Sequence, residues 1–235
     1  MFKRPGYQRV AEVLGALNSD LLAEAECFFG GGTAIALSLG EYRESLDIDF
    51  LCSSHEGYRI LRNAVSNRDL GSLLREPVKH LREVRMDRDG IRAVLEVSGV
   101  PVKIEFIKEG NTELQGHVDA VFGVPTLSRV DMYTQKLLAN ADRGLDKSTM
   151  SRDIIDLAMM LDQWGDVPEE AWKKAMDAYG ASVCKGFQDA VQLVSDREYL
   201  ARCLNRMGME LGIADRIPVL LADCSAPAYD PADGK

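Results

Sequence analysis

Two aspartates that flank a single apolar residue are the feature of the sequence most suggestive of chemistry. Asp47 and Asp49 alternate with Leu46, Ile48 and Phe50, and this alternation predicts a strand with both carboxylates on one face. Like charges held so close repel each other unless a cation neutralises them. Because both donors are oxygen, the pair favours Mg²⁺ or Mn²⁺ over zinc.

A third carboxylate lies on a second predicted strand. In the segment Val102–Phe106, Glu105 lies on the face opposite to Ile104 and Phe106. If this strand is a neighbour of the Asp49 strand, Glu105 completes a three-carboxylate metal site. The alternative is an ordinary exposed glutamate on a strand.

A glycine-rich turn precedes the acidic pair. The turn GGGT, residues 30–33, follows the apolar run Cys27–Phe29, and Thr33 lies 14 residues before Asp47. Glycines let backbone N–H groups approach a phosphate, and the start of the following helix favours negative charge. Thr33 either caps that helix or donates to a phosphate oxygen. The order strand, glycine turn, helix and acidic strand predicts a phosphate site beside a metal site.

The remaining patterns divide the chain in two. Short apolar alternations over 84–86, 91–97 and 102–107 predict further strands, and residues 7–25 have the spacing of one helix. From residue 127 onward only helical spacing recurs, over 130–138, 154–161, 169–179, 182–194 and 197–211. We therefore predict an α+β fold, with an α/β domain at 1–125, a helical domain at 126–223 and a disordered tail at 224–235.

Composition excludes several classes of protein. The 235 residues contain no apolar stretch that could cross a membrane, and no apolar region of a secretory signal follows the basic residues 1–10, so a cytoplasmic location is expected. The five cysteines form no C-x-x-C pair, which argues against a zinc ribbon or a disulfide framework. The motifs of phosphate-loop and dinucleotide-binding proteins are absent from the sequence.

Charge is distributed unevenly along the chain. The net charge is −9, so the overall field does not favour nucleic acid. Residues 59–92, however, carry nine basic and five acidic side chains, a local excess of four positive charges. This segment is either a solvated surface or a contact surface for a polyanion.

The segment FFGGGTAIALSLGEYRESLDIDFLC, residues 28–52, resembles the AbiEii/AbiGii toxin family of nucleotidyltransferases, within the polymerase-beta-like superfamily. The resemblance implies a nucleotidyltransferase-like mixed sheet with flanking helices, followed by a helical half. It implies that Asp47 and Asp49 bind the metal ion. It also implies that the nucleotide contacts are Gly31, Gly32, Thr33, Arg43 and Ser45.

A second segment, residues 131–161, is similar to another part of the same family. Lys136, Arg152, Asp153 and Asp156 carry the similarity. By resemblance, Lys136 binds the nucleotide as a point charge, and Asp153 positions or deprotonates the acceptor hydroxyl. Taken alone, Lys136 would be a solvated helix lysine and Asp153 a helix cap.

The implied activity is transfer of a nucleoside monophosphate from an NTP to an acceptor such as a tRNA, by the toxin of a toxin–antitoxin system. A cognate antitoxin would then be a partner. Two alternatives stay open at this point. One is transfer to a small acceptor of the aminoglycoside type, and the other is a nucleotidyltransferase-fold module that binds without catalysis.

Overall fold

The computed structural model describes residues 2–66, 68–224 and 226–227, and within them the chain forms two compact units. The first comprises the residues up to Leu37 together with Ser45–Ser128, and the second comprises Ser38–Glu44 together with the residues from Arg129 onward. The predicted boundary at 125/126 lies three residues before this division. The prediction also left segment 38–44 in the first domain, whereas it belongs to the second unit. Of the predicted tail, residues 225 and 228–235 lie outside the described residues.

Helices and short strands alternate along the first part of the chain. In chain order they are α1 (Pro5–Ala16), α2 (Ser19–Glu24), β1 (Cys27–Gly30), α3 (Gly31–Ser38), β2 (Ile48–Cys52), α4 (His55–Ala64), β3 (Arg85–Met86), β4 (Gly90–Val97), β5 (Val100–Lys108), β6 (Gly116–Val118) and β7 (Pro125–Leu127). A single 3₁₀ turn, Gly71–Leu73, follows α4 within this described part.

The described strands form one seven-stranded sheet in the order β3-β4-β5-β2-β1-β7-β6. The pairs β2–β5 and β1–β7 are parallel, and the other neighbouring pairs are antiparallel. The sheet is therefore mixed, as the resemblance implied. The strand of Glu105 is a direct neighbour of the strand of Asp49, which was the condition for bringing these two carboxylates together.

A row of phenylalanines fixes the register at the centre of the sheet. Phe29, Phe50 and Phe106 are paired across β1, β2 and β5, all are fully buried, and their rings lie 5.3 to 5.6 Å apart. A slip of one residue would move these rings to the opposite face of the sheet. The same register forces Asp49 and Glu105 side by side on that opposite face.

The predicted helix over residues 7–25 is interrupted at Leu17. Asn18 ends the interruption because its Oδ1 accepts a hydrogen bond from Leu21 N at 3.3 Å and so caps α2. The Asn18 backbone N–H donates to the Leu73 carbonyl oxygen at 2.8 Å. A tertiary contact thus divides a segment for which the apolar spacing alone predicts one helix.

The second unit is helical in its described part. Its helices are α5 (Arg129–Arg143), α6 (Arg152–Trp164), α7 (Glu169–Tyr179), α8 (Ser182–Val194), α9 (Arg197–Arg206) and α10 (Ile217–Asp223). Trp172 of α7 packs edge-on against Phe187 of α8 at 5.3 Å. The prediction of a mixed sheet followed by a helical half is confirmed. Among the described residues, no helix combines the length and apolarity needed to cross a membrane.

Candidate active site

The glycine turn and the acidic strand are in direct contact. Gly30 is paired with Asp49 across β1 and β2, and Gly31, the first residue of α3, has φ +68°. A Cβ atom at Gly31 would lie 2.7 Å from Asp49 Oδ2 and 3.2 Å from Asp49 Cβ. Glycine is therefore required at position 31 twice over, for its backbone conformation and for the space that the Asp49 carboxylate occupies.

Thr33 holds the segment that leads into β2. Its Oγ1 donates to the Asp47 carbonyl oxygen at 2.5 Å and lies 3.0 Å from Ser45 Oγ. Thr33 is fully buried, so its hydroxyl proton is used within the protein. The predicted phosphate contacts of Thr33 and Ser45 find no support in this arrangement, which instead fixes the backbone of the acidic pair.

The two aspartates differ in their surroundings. Asp47 is exposed and lies just before the first residue of β2, whereas Asp49 is partly buried within the strand. Oxygen donors two residues apart suit a hard cation, and the close approach of Gly31 to Asp49 leaves the carboxylate beside a helix start. These two residues fit the metal that the resemblance implied.

Glu105 fits that metal less well. It is paired with Asp49 in the sheet, but its Oε1 lies 3.1 Å from Lys103 Nζ and 3.5 Å from Arg92 Nε. Two cations therefore already compensate its charge. In the described part of the chain, no group of three His, Cys, Asp or Glu residues is arranged to hold a metal ion. The predicted three-carboxylate site therefore finds no support among the described residues. The alternation that predicted the face of Glu105 also puts Lys103 on that face, whereas Arg92 comes from the neighbouring strand β4.

Lys136 and Asp153 belong to a buried ionic cluster within the second unit. Lys136 Nζ lies 2.8 Å from Asp153 Oδ1 and 2.7 Å from Asp156 Oδ2. The exposed fraction of the Lys136 side chain is 7%. The ammonium group is thus held between two carboxylates, and it would have to exchange one of them to bind a triphosphate.

Arg43 completes the same cluster from segment 38–44. Its Nε and Nη2 donate to the two carboxylate oxygens of Asp156 at 2.6 and 2.8 Å, and Tyr42 Oη donates to Asp156 Oδ1 at 2.5 Å. Burial disfavours the charged guanidinium, yet the attraction of Asp156 outweighs it and raises the pKa of Arg43. The predicted approach of Arg43 to a triphosphate therefore finds no support, because a bidentate ion pair already uses its donors.

Asp153 is held by two cations. Arg143 Nε donates to its Oδ2 at 2.7 Å, and Lys136 is bound to its Oδ1. Burial alone would raise the pKa of Asp153, but Lys136 and Arg143 outweigh burial and hold that pKa well below its usual range. A carboxylate so stabilised in its charged form has little affinity for a proton, so this arrangement weakens the predicted role as a general base.

The turn before α6 positions Asp153. Met150 and Ser151 both have positive φ, +58° and +48°, which is uncommon for residues other than glycine. Ser151 is buried, and its Oγ lies 2.9 Å from Tyr199 Oη. The Ser151 side chain makes no cap hydrogen bond, and Asp153 forms ion pairs. The reading of Asp153 as a simple helix cap is therefore not supported.

Sequence reasoning missed the roles of Tyr42, Arg143 and Asp156 in this cluster. A signal was available, since Arg143 follows Lys136 by two helical turns and Asp156 follows Asp153 by one. Such spacing predicts that charges share a helix face. It does not predict that two helices turn those faces toward each other.

Comparisons with known proteins bear on the family and the fold of the chain. The profile of the family described as "Nucleotidyl transferase AbiEii toxin, Type IV TA system" matches residues 12–216. No curated protein matches the chain in sequence. A crystal structure of a candidate nucleotidyltransferase from H. pylori is 18% identical, with 92% of this chain and 93% of that chain covered at a TM-score of 0.54. JHP933 from Helicobacter pylori is also 18% identical, with 94% and 92% covered at a TM-score of 0.53. At this identity the likeness establishes the fold.

Proposed function

The chain belongs to the AbiEii family of nucleotidyl transferase toxins, and on that premise we propose that it transfers a nucleoside monophosphate from an NTP to an RNA acceptor of the tRNA class. It acts in this proposal as the toxin of a type IV toxin–antitoxin pair, with a cognate antitoxin as partner. The observation that carries the proposal is the packing of Gly31 against the Asp49 carboxylate. That contact joins a glycine turn at a helix start to an acidic strand.

In the proposed site, Asp47 and Asp49 hold Mg²⁺ or Mn²⁺. When bound, such an ion neutralises phosphate charge and activates an attacking oxygen. The chain supplies the orientation of the carboxylates, because Asp49 is fixed between β1 and β5 and the Asp47 backbone is fixed by Thr33. The backbone N–H groups of Gly31 and Gly32, at the start of α3, are proposed to receive the NTP phosphates.

We leave Glu105 outside the proposed ligand set because Lys103 and Arg92 already compensate its charge. For Lys136 and Asp153 we propose a structural role, in place of the predicted contacts with nucleotide and acceptor. The geometric reason is that both are buried and ion-paired within one unit. Under this assignment their substitution changes stability first and turnover only as a consequence.

The basic segment 59–92 supports a polyanionic acceptor. Four of its cations are exposed and make no ion pair among the described residues: Arg62, Arg68, Arg82 and Arg85. The ion pairs of the other five are at least partly exposed, and exposed pairs are worth only about 0–1 kcal/mol. Their cations can therefore exchange a carboxylate for a phosphate at little cost.

The test is a transfer assay with the full chain. Each of the four NTPs, labelled at the α-phosphate, is incubated with Mg²⁺ and total tRNA, and label in RNA is measured. Asp49→Asn should lower turnover by about two orders of magnitude or more, the scale of losing one charge-stabilising group at a reacting centre. Because Asp49→Asn removes one of two like charges, the free energy of unfolding of this variant should stay equal to that of the wild type or rise slightly. Asp177→Asn, an exposed ion-paired aspartate, is the matched control.

The outcomes separate the alternatives. Label in tRNA that disappears with Asp49→Asn and persists with Asp177→Asn supports the proposal. Label in an aminoglycoside-like acceptor and none in RNA would favour the small-acceptor alternative. Absence of transfer to any acceptor, with NTP binding retained, would favour a binding module.

A further inference from the structure

One row of paired residues runs across five strands of the sheet. Arg85 of β3 is paired with Arg92 of β4, Arg92 with Glu105 of β5, Glu105 with Asp49 of β2, and Asp49 with Gly30 of β1. Paired residues of neighbouring strands point to the same face. The row therefore leads from two arginines at one edge of the sheet to the proposed metal carboxylate and the glycine turn.

The row lies on the polar face of β4 and β5. The burial of both strands alternates, and Arg92, Val94, Lys103 and Glu105 are all partly exposed on this face. Ile91, Ile104 and Phe106 on the opposite face are fully buried. The side chains of the row are thus presented by a sheet whose other face is anchored in the core.

The two arginines form a like-charge pair. Arg85 and Arg92 are directly opposite each other, an arrangement that destabilises a sheet unless counter-charges are present. Arg92 Nη1 lies 2.9 Å from Asp87 Oδ2, and Arg92 Nε lies 3.5 Å from Glu105 Oε1. Arg85 is exposed and has no ion pair within the described ranges. An anion bound over Arg85 would supply the missing counter-charge.

We infer that Arg85 and Arg92 form a track for the sugar–phosphate backbone of the RNA acceptor on its way to Asp49. The inference rests on the proposed function and gives its acceptor a specific route. Strands are about 4.8 Å apart, so three steps separate Arg85 from Asp49 by roughly 14 Å. A chain of phosphates can bridge that distance, whereas a single small anion on Arg85 would not reach the carboxylates.

The experiment measures the salt dependence of tRNA binding to the full chain by fluorescence anisotropy over a range of NaCl concentrations. Arg85→Ala should reduce the slope of log K against log[salt] by about one, the loss expected for one phosphate contact. Arg85→Lys should restore most of the slope because it keeps the charge. Arg92→Gln should lower the slope similarly. Arg197→Ala is the matched control, since the Arg197 side chain is also exposed, to 76%, but begins α9 and lies outside the basic segment.

The inference is overturned if Arg85→Ala leaves the slope unchanged, or if Arg197→Ala lowers it as much as Arg85→Ala does. It is also overturned if the wild-type protein binds tRNA without salt dependence. In that case Arg85 and Arg92 would be better explained as a contact surface for an acidic protein than as a contact for RNA phosphates. Transfer of label from NTP to tRNA by the wild-type protein is measured in parallel. If Arg85→Ala reduces the salt slope but the wild-type protein transfers no label to tRNA, the track is sustained and the proposed function is rejected. Wild-type transfer together with equal slopes in Arg85→Ala and Arg197→Ala rejects the track and sustains the proposed function.

Discussion

Two glycines of this chain have the same backbone requirement but different surroundings, and the difference isolates what the site demands. Gly31 has φ +68° and Gly99 has φ +77°. A side chain at Gly99 would meet nothing within 4 Å, whereas at Gly31 it would meet the Asp49 carboxylate. A side chain would therefore strain the backbone at both positions, but of the two only a side chain at position 31 would collide with the acidic strand.

Gly31→Ala and Gly99→Ala should each lower the free energy of unfolding by about 1–2 kcal/mol, the cost of a left-handed backbone for a residue with a Cβ. Only Gly31→Ala should also weaken Mn²⁺ binding and NTP transfer, because the new methyl group displaces Asp49. Urea unfolding gives the stabilities, and titration with Mn²⁺ gives the affinity. Equal Mn²⁺ affinity in both variants would mean that Asp49 is not a metal ligand.

Several features of the site could be predicted from single residues and their neighbours. Alternation predicted on which face of its own strand each of Asp49 and Glu105 lies. The close approach of the glycine turn to a phosphate stays a prediction. The partners of Thr33 and Lys136, and the approach of Arg92 to Glu105, could not be predicted. Each of these partners lies on a different element that tertiary folding brings close, and a local pattern carries no information on which distant charge or carbonyl that is.

At the scale of elements, the ionic cluster ties segment 38–44 to α5 and α6 within the second unit. Asp156 is its centre, because it accepts from both Arg43 and Lys136 and is fully buried. Removing one partner of a buried ion pair leaves the other charge uncompensated. That loss is far more costly than the loss of an exposed pair.

Asp156→Asn should therefore lower the free energy of unfolding by about 3–5 kcal/mol, the range for breaking a buried pair. Asp189→Asn, which removes the partly exposed partner of the exposed Lys185, should cost only about 0–1 kcal/mol. Urea unfolding of both variants measures the difference. A cost below 1 kcal/mol for Asp156→Asn would show that the cluster does not stabilise the unit.

The same cluster predicts how stability depends on pH. Burial opposes charge on Asp156, but Arg43 and Lys136 outweigh it and lower the pKa of that carboxyl. A pKa lowered on folding contributes stability that is present above the unfolded pKa of about 4 and is lost as the pH falls toward the folded value. Wild-type stability should thus decrease on acidification below about pH 4, and Asp156→Asn should show a shallower decrease.

Local sequence was most informative for long, regular elements. Helices α7 and α8 begin and end where their apolar spacing predicted, and the predicted strands correspond to β4 and β5 with ends shifted by one or two residues. The three-residue strands β6 and β7 were missed, since so short a segment has no periodicity to read. The left-handed residues Met150 and Ser151 were missed as well, because neither residue type signals positive φ.

On the scale of the whole molecule, a net charge of −9 opposes binding to RNA. The proposed binding of RNA therefore relies on the local excess of positive charge in segment 59–92, which acts over a distance comparable to the Debye length of about 8–10 Å. Nucleotide binding has no such dependence in our proposal, since it relies on the glycine turn and a metal ion. The two substrates should therefore respond differently to salt and to charge substitutions.

Hydrogen exchange over the whole chain can decide which elements receive the nucleotide. A ligand that binds only the native state stabilises it, and amides near the ligand show the largest gain in protection. With NTP and Mg²⁺, exchange should slow at the start of α3 and along β2, because these elements carry Gly31 and Asp49. Exchange in α5 and α6 should stay unchanged if Lys136 and Asp153 are structural, and Asp49→Asn should abolish the effect on α3 and β2. Slowed exchange around Lys136 and Asp153 in the wild-type protein would instead assign these residues to nucleotide binding and overturn their structural role.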